Sequence, residues 1–566
     1  MGSTIFKCIK MALILILYFV ISVIFTYPLV LKLGEFLPGT PNDAYVYLWN
    51  IGNFWHQIFE RGSIFFTTEV MYPIGANLFF HTYAPLVSVF ALPFLNNLSL
   101  YMGLLILISI TLSAFTAYFF ILKITQNKMA ALMTGLIYAF SPIVGSFIES
   151  QHYYFLFSSF AYPLGLYFVY QYFKLIKIKY LYFVAILFWI VLGIDYYSAV
   201  LFSLLVLVYF VLNIKIKTFE INKYLLVFIL TILTPFLILF TFEKNFNEFV
   251  SHKQVVNSSS TCNTNIEGFI IPNINNPFFS MADQKVNLDT PSYFLGWGIL
   301  VIAIISIFKN WKIKLIKDVS FIGLLFLLLS FGTNIKYFDS ILAEGKHTLF
   351  YHFLKIPILG AIDCPIRFPI VIQLCVAILV AFFVASHKKM LKVFIALIAL
   401  LIIEYGTTNI NFSSTRIPTV YEHLAKQNSS KTLLEIPSGL TESKGAFGYD
   451  WSMQALNSQQ MYWQTLHKKP KVGVYMSRIT SDKYDYFQNE YVISEIFNYS
   501  SLGGVTPTTD ITDDKIENFI KTFNLGYIIF SPNPRQGEFT NFIDSEFVNH
   551  IVNKQNFDGF VYYEIK

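Results

Sequence analysis

Asp43 stands in the stretch GTPNDAYVYLWN, directly after the first long apolar run, and belongs to a small set of residues whose types suit chemistry. The others are Tyr72 and His81 in EVMYPIGANLFFHTYAP, Glu149 and His152 in SPIVGSFIESQHYY, Asp195 and Tyr196 in GIDYYS, and Asp363 and Arg367 in IDCPIRFP. An inverting transfer from a phosphate carrier needs a carboxylate to take the attacking group's proton and a cationic or hydrogen-bonding group to meet the charge on the departing phosphate. Asp43 has the type for the first task. Arg367, with His152, has it for the second, because a guanidinium grips phosphate through a planar two-pronged contact. Glu149 or Asp195 would orient the acceptor, and Tyr72 and Tyr196, with His81, would contact a sugar.

The local pattern around Asp43 has a plainer explanation that stands beside this one. Thr40, Pro41 and Asp43 make a Thr-x-x-Asp helix start with proline at the first helical position, so the carboxylate either caps its own helix or acts on a substrate. From Tyr45 onward, Leu48, Trp49, Gly52, Trp55 and Phe59 follow helical spacing, with Asn50, Asn53, Gln57 and Glu60 on the other face. This predicts an amphipathic helix lying at the membrane surface and anchored by the two tryptophans.

What must position these residues is set by composition. Of 566 residues 55% are hydrophobic and only 13% charged, and the mean hydropathy is +0.56, too apolar over too long a chain for one water-soluble core. The expectation is a polytopic α-helical membrane protein. Spans are predicted at 11–31, 98–122, 129–148, 154–173, 180–195, 197–213, 224–242, 293–308, 319–332, 367–385 and 391–406, each near the length needed to cross a bilayer core. Residues 82–95, broken by Pro85 and Pro93, read as an interfacial or re-entrant element. No small-residue cleavage site follows the first run, so it is expected to be retained.

Lysines give the orientation, since positive charge in short loops stays cytoplasmic. Lys7 and Lys10, Lys123 and Lys128, Lys174 to Lys179, Lys215 to Lys223, Lys309 to Lys317, and Lys388 to Lys392 occupy alternate junctions. Eleven spans then place the amino terminus inside and the tail from 407 outside. The candidate site residues fall at the outer ends of spans. A charge deep in hydrocarbon costs about 2.5–3.5 kcal/mol on insertion scales, so such groups face a wet cavity or sit where span ends tolerate them. The five arginines, Arg61, Arg367, Arg416, Arg478 and Arg535, are all on the predicted outer side.

The domain layout expected is a membrane domain over 1–406, with a first outer loop at 32–97, and an extracytoplasmic α/β domain over 407–566. In the tail, KTLLEIP, LGYIIFSP and FVYYEIK read as strands and DITDDKIENFIKTF as a helix. The segment MQALNSQQMYWQTLHKKPKVGVYMSR is rich in amides and aromatics, which suit sugar recognition or an ordinary soluble surface. Cys8, Cys262, Cys364 and Cys375 form no metal spacing; a Cys262–Cys364 disulfide is one arrangement, but two unpaired thiols are the expected one. The net charge of +6 is scattered between apolar runs and excludes a nucleic-acid stripe. Phosphate-loop, dinucleotide and HExxH zinc motifs are missing, so no cofactor is expected, and a divalent metal is left open but not indicated.

The ordered set of motifs resembles the GT-C superfamily of integral membrane glycosyltransferases, in particular a bacterial branch with an acidic residue and Trp after the first span. The matching elements are Asp43 with Trp49; Tyr72, Pro73, Gly75, Asn77 and Leu78; Ser141, Pro142 and His152; Tyr196, Tyr197 and Ser198; and Pro365 with Arg367. The resemblance covers roughly residues 10 to 400. It implies a polyprenyl-phosphate-linked sugar donor, transfer on the outer face of a bacterial plasma membrane with inversion, an acceptor not specified, and Asp43 as general base. The chain departs from the pattern where Asp363 and Cys364 precede the proline in place of a second arginine. It also lacks an Asp-x-Asp or Glu-x-Asp pair in the outer loops, which argues against a metal-dependent oligosaccharyl-type mechanism.

Two other classes stay open. A transporter or flippase of lipid-linked glycans would also need many spans and a wet cavity, though with internal repeats or broken helices near the midplane. An envelope assembly factor would use the tail to bind partners without catalysis.

Overall fold

The computed structural model describes all residues except 1, 61, 80, 215–262, 273–275, 280–291, 339, 357–363, 388–389, 407–409, 443–444, 448–452, 501–510 and 534. The expected span at 224–242, most of the outer loop at 244–292, Arg61, Cys262, Asp363 and the lysines at 215, 217, 223, 388 and 389 lie outside the described residues. The chain folds as two compact units, residues 1–40 with 100–413 and residues 41–99 with 414–566.

The first unit is helical. Ten of the eleven intervals read as spans fall on described helices, and among the described residues five stretches are long and apolar enough to cross a membrane: Cys8–Phe25, Leu98–Thr125, Lys128–Glu149, Tyr196–Asn213 and Pro365–Ser386. The helix Pro369–Ser386, PIVIQLCVAILVAFFVAS, is apolar on every face, and a helix of that kind has to be surrounded. It packs against Lys128–Ala139, Trp297–Asn310 and Lys314–Ser330. Its one amide, Gln373, is buried and donates from Nε2 to the Ile137 carbonyl at 2.7 Å and to the Tyr405 hydroxyl at 2.9 Å. Tyr405 donates in turn to the Leu295 carbonyl at 2.7 Å. In lipid a polar side chain must find such partners inside the bundle.

Prolines break two of the expected spans. Interval 154–173 is two helices, Tyr153–Ser158 and Ala161–Leu175. Pro163 lacks the N–H that would bond the Ser159 carbonyl, and the Tyr138 hydroxyl donates to that carbonyl instead at 2.7 Å. Interval 129–148 likewise divides at Phe140 and Ser141, just before Pro142. Cys364 is disulfide-bonded, which corrects the expectation of a free thiol there, while Cys8 and Cys375 are free.

The second unit is built on a four-stranded sheet in the order Ile551–Phe557, Phe560–Ile565, Leu525–Phe530, Thr432–Ile436. The last pair is parallel and the others antiparallel. The three apolar runs read as strands are therefore neighbours in one sheet. Beside it a small sheet joins Val474–Tyr475, Leu440–Glu442 and Gly445–Phe447.

In this unit the helix Ala44–Phe59 packs against the helix Gln454–His467. It does not lie on a surface: Trp49 is 2% exposed, and Asn50, Asn53 and Gln57, taken from sequence as the polar face, are buried as well. Each tie is internal. Trp49 Nε1 donates to Gln464 Oε1 at 2.7 Å, Asn50 Nδ2 to the Thr82 carbonyl at 2.8 Å, and Gln57 Nε2 to Thr67 Oγ1 at 3.1 Å. The face is covered by protein and not by water, although Asn50 Oδ1 and Asn53 Nδ2 are buried with no hydrogen-bond partner among the described residues. Gly52 permits the close approach, since a β-carbon there would come within 2.7 Å of the Thr465 methyl.

Candidate functional site

Asp43 precedes the helix Ala44–Phe59, but its side chain makes no capping hydrogen bond. Thr40, the other half of the helix-start pattern, donates its hydroxyl to the Glu149 carbonyl at 3.0 Å. The carboxylate instead accepts from the Tyr475 phenol, 2.8 Å from Oδ1. Gln454 Nε2 donates both to the Tyr475 oxygen and to Asn42 Oδ1, the latter at 2.7 Å. Burial first, and then the Asp43 charge, hold the Tyr475 phenol well above its ordinary range, so it stays protonated and donates.

Tyr72 and His81 engage the same tail segment. The Tyr72 backbone N–H donates to the Lys471 carbonyl at 3.1 Å. His81 Nδ1 accepts from the Ser477 backbone N–H at 3.1 Å, with its ring edge-on to Trp49. Burial lowers the His81 imidazole to about 3, so it is neutral and fits the role of acceptor. Asp43, Tyr72 and His81 thus converge on residues 471–477. His81 is 2% exposed, and its contacts hold the two segments together.

Lys471 forms a buried ion pair with Glu435 of the strand Thr432–Ile436, whose Oε1 also accepts from the Tyr421 hydroxyl at 2.9 Å. His467 stacks on Tyr421. Burial, reinforced by the Lys471 and Lys469 charges, pushes the His467 imidazole well down, so it too is neutral.

The first unit carries the guanidinium. Arg367 lies between two aromatic faces, its guanidinium carbon 3.8 Å from the Phe155 centroid and 3.6 Å from the Tyr197 centroid. Its Nε and Nη1 are buried and have no hydrogen-bond partner among the described residues. A narrow cleft beside it is lined by Phe155, Tyr162, Tyr197, Ser198, Leu201 and Arg367. His152 reaches this group through Phe155, at 5.8 Å between rings, and its Nδ1 is 2.9 Å from Ser150 Oγ. Asp195 caps the helix Tyr196–Asn213, accepting from the Ser198 N–H at 2.7 Å, and so fixes the turn bearing Tyr196, Tyr197 and Ser198. Tyr196 is half-buried at the first helical position.

Glu149 accepts from Asn411 Nδ2 at 2.6 Å and from its backbone N–H at 3.2 Å, tying 149 to 411. The reading from sequence did not single out Tyr475, Gln454, Phe155 or Tyr162. Tyr197 carried a signal as the second aromatic of GIDYYS, and Gln454 and Tyr475 lie in the amide- and aromatic-rich segment 453–478, though neither was named within it. No group of three or more His, Cys, Asp or Glu side chains suited to a metal occurs among the described residues.

The family described as a domain of unknown function, DUF6311, matches residues 13–405. No curated protein matches the chain. Among solved structures, the oligosaccharyltransferase of Archaeoglobus fulgidus with zinc and sulfate overlaps at 12% identity and a TM-score of 0.40, covering 94% of this chain and 69% of that one. The same enzyme tethered to an acceptor peptide overlaps at 10% identity and a TM-score of 0.41, covering 99% and 74%. Neither overlap is close enough to carry a conclusion about fold or activity.

Proposed function

This chain belongs to the DUF6311 family, and because that family has no assigned function we propose one from the residues themselves: inverting transfer of a hexosyl or pentosyl unit from a polyprenyl-phosphate donor at the outer face of a membrane. The observation that carries it is the Arg367 guanidinium, stacked between Phe155 and Tyr197 with two buried donors unpartnered among the described residues. Leaving such donors unmade costs about 1–3 kcal/mol or more, and a phosphate oxygen would satisfy them.

In the proposed reaction the acceptor hydroxyl oxygen bonds to the anomeric carbon, and the bond from that carbon to the phosphate oxygen breaks with its electron pair. The hydroxyl proton passes to Asp43. Arg367, with His152 beside its stack, meets the charge left on the lipid phosphate. Tyr196 and Tyr72 are the sugar platforms in this reading. Glu149, Asp195 and His81 have holding tasks and are assigned no substrate contact. The lysine pattern supports an amino terminus inside, and counting 224–242 as a span gives eleven and an outer tail.

The test is transfer by the purified full chain in liposomes, using radiolabelled polyprenyl-phosphate hexose as donor and a membrane extract as acceptor source. Asp43→Asn should bind donor but lose turnover by about 100-fold or more. Near-normal turnover in that variant removes the base assignment. Movement of labelled lipid across the bilayer without transfer would identify a flippase instead.

A further inference from the structure

We propose that Tyr475, backed by Gln454, is the positioning residue for Asp43, so that the geometry of the base is set by the tail and not by the helix that follows Asp43. The inference rests on the reading of Asp43 as the base. Its first support is the direction of the hydrogen bonds. Gln454 has two N–H donors and spends them on Asn42 Oδ1 and the Tyr475 oxygen. With its oxygen accepting from Gln454, the phenol directs its proton to Asp43 Oδ1, 2.8 Å away.

The second support is rigidity. Tyr475 ends a short strand paired in parallel with Leu440–Glu442. Val474 N–H donates to the Gly439 carbonyl and Met476 N–H to the Thr441 carbonyl, each at 2.9 Å. The Val474 and Met476 side chains, on the opposite side of the strand from Tyr475, are each 2% exposed in the core. Gln454 is the first residue of the helix Gln454–His467, which is packed against Ala44–Phe59. A carboxylate held by a donor on so fixed a support keeps one orientation, which is what a general base needs before the acceptor arrives.

The third support is that the competing use of Asp43 is not taken up, since the side chain makes no capping bond to its helix. Tyr475 touches the base and not the reacting atoms, so it acts through Asp43.

The experiment measures turnover and donor KM of the full chain in liposomes, with polyprenyl-phosphate hexose as donor and membrane extract as acceptor, for wild type, Tyr475→Phe, Gln454→Leu and Asp43→Asn. Tyr475→Phe should lower turnover by about tenfold or more and leave the donor KM within about twofold. Gln454→Leu, which keeps the phenol but frees it to turn, should lower turnover by less, again with the donor KM unchanged. If Tyr475→Phe does not fold, the Gln454→Leu turnover decides. Turnover within about twofold of wild type in a folded variant, with Asp43→Asn inactive, overturns the positioning role and leaves the base. An active Asp43→Asn overturns the base itself.

Discussion

The guanidinium carbon of Arg367 lies 3.6 Å from the centroid of the Tyr197 ring, with Phe155 on its other face. Flat stacking on two rings leaves the edge of the group, with its N–H donors, as the part available to an anion. An ammonium has neither the planar face for stacking nor the fork for two oxygens. Arg367→Lys should therefore raise the KM for a polyprenyl-phosphate donor by about tenfold or more while the acceptor KM stays within about twofold. Equal losses on both would remove the phosphate assignment.

Lys471 and Glu435 form an ion pair with side chains 3% and 1% exposed. Removing one partner leaves the other charge buried, so Lys471→Met should destabilise the second unit by about 3–5 kcal/mol. Thermal melting of the detergent-solubilised full chain, followed by tryptophan fluorescence, gives the measurement. The double variant Lys471→Met with Glu435→Leu should recover a substantial part of the loss, because no charge is then stranded. A double variant as unstable as the single one would show that the pair's charges are not the issue.

His81 is lowered to about 3 and His467 is also well below the ordinary value, both through burial first. In the unfolded chain each imidazole titrates near 6.5. Because the folded values are lower, the unfolded chain binds more protons in the window between. The stability from keeping both rings neutral is whole above about pH 6.5 and drains as pH falls below it, by about 1.4 kcal/mol per pH unit for each ring. Melting temperature should drop between pH 6.5 and 4.5, and His81→Asn should flatten that slope by removing one titrating group. A melting temperature independent of pH over that range would contradict the burial of both rings.

Gly39 has φ +100°, and a β-carbon there would meet the Ile148 carbonyl and come within 2.6 Å of the Glu149 carbonyl. The obstruction is backbone, so neighbours cannot swing aside. Gly39→Ala should cost about 3 kcal/mol, at the upper end of what local strain exacts. Gly345 has φ +53° and nothing within 4 Å of a built β-carbon, so Gly345→Ala should cost only the backbone preference, about 1 kcal/mol. Equal melting temperatures for the two variants would sink the steric argument.

The helical segments were legible in the chain because apolar runs announce themselves locally, and ten of the eleven intervals fall on described helices. Breaks at Pro142 and Pro163 were equally local and were passed over because hydropathy alone does not register a missing N–H. The Ala44–Phe59 helix was read correctly as a helix and wrongly as a surface one. Its asparagines and glutamine counted as a solvent face, yet their neighbour Trp49 bonds Gln464, 415 residues away, and the polar face is covered by segments no local pattern could name.

The sequence by itself determined that this chain carries helices apolar enough for a membrane and where three strands of its main sheet would lie, because transfer of apolar side chains from water is a sum over neighbouring residues. Only the tertiary structure decided that Asp43 answers to Tyr475 across 432 residues and that Arg367 is held by Phe155 and Tyr197 with two buried donors unpartnered among the described residues. Hydrogen bonds and ring stacking act over a few ångströms of space, and chain separation carries no record of which distant groups will meet there.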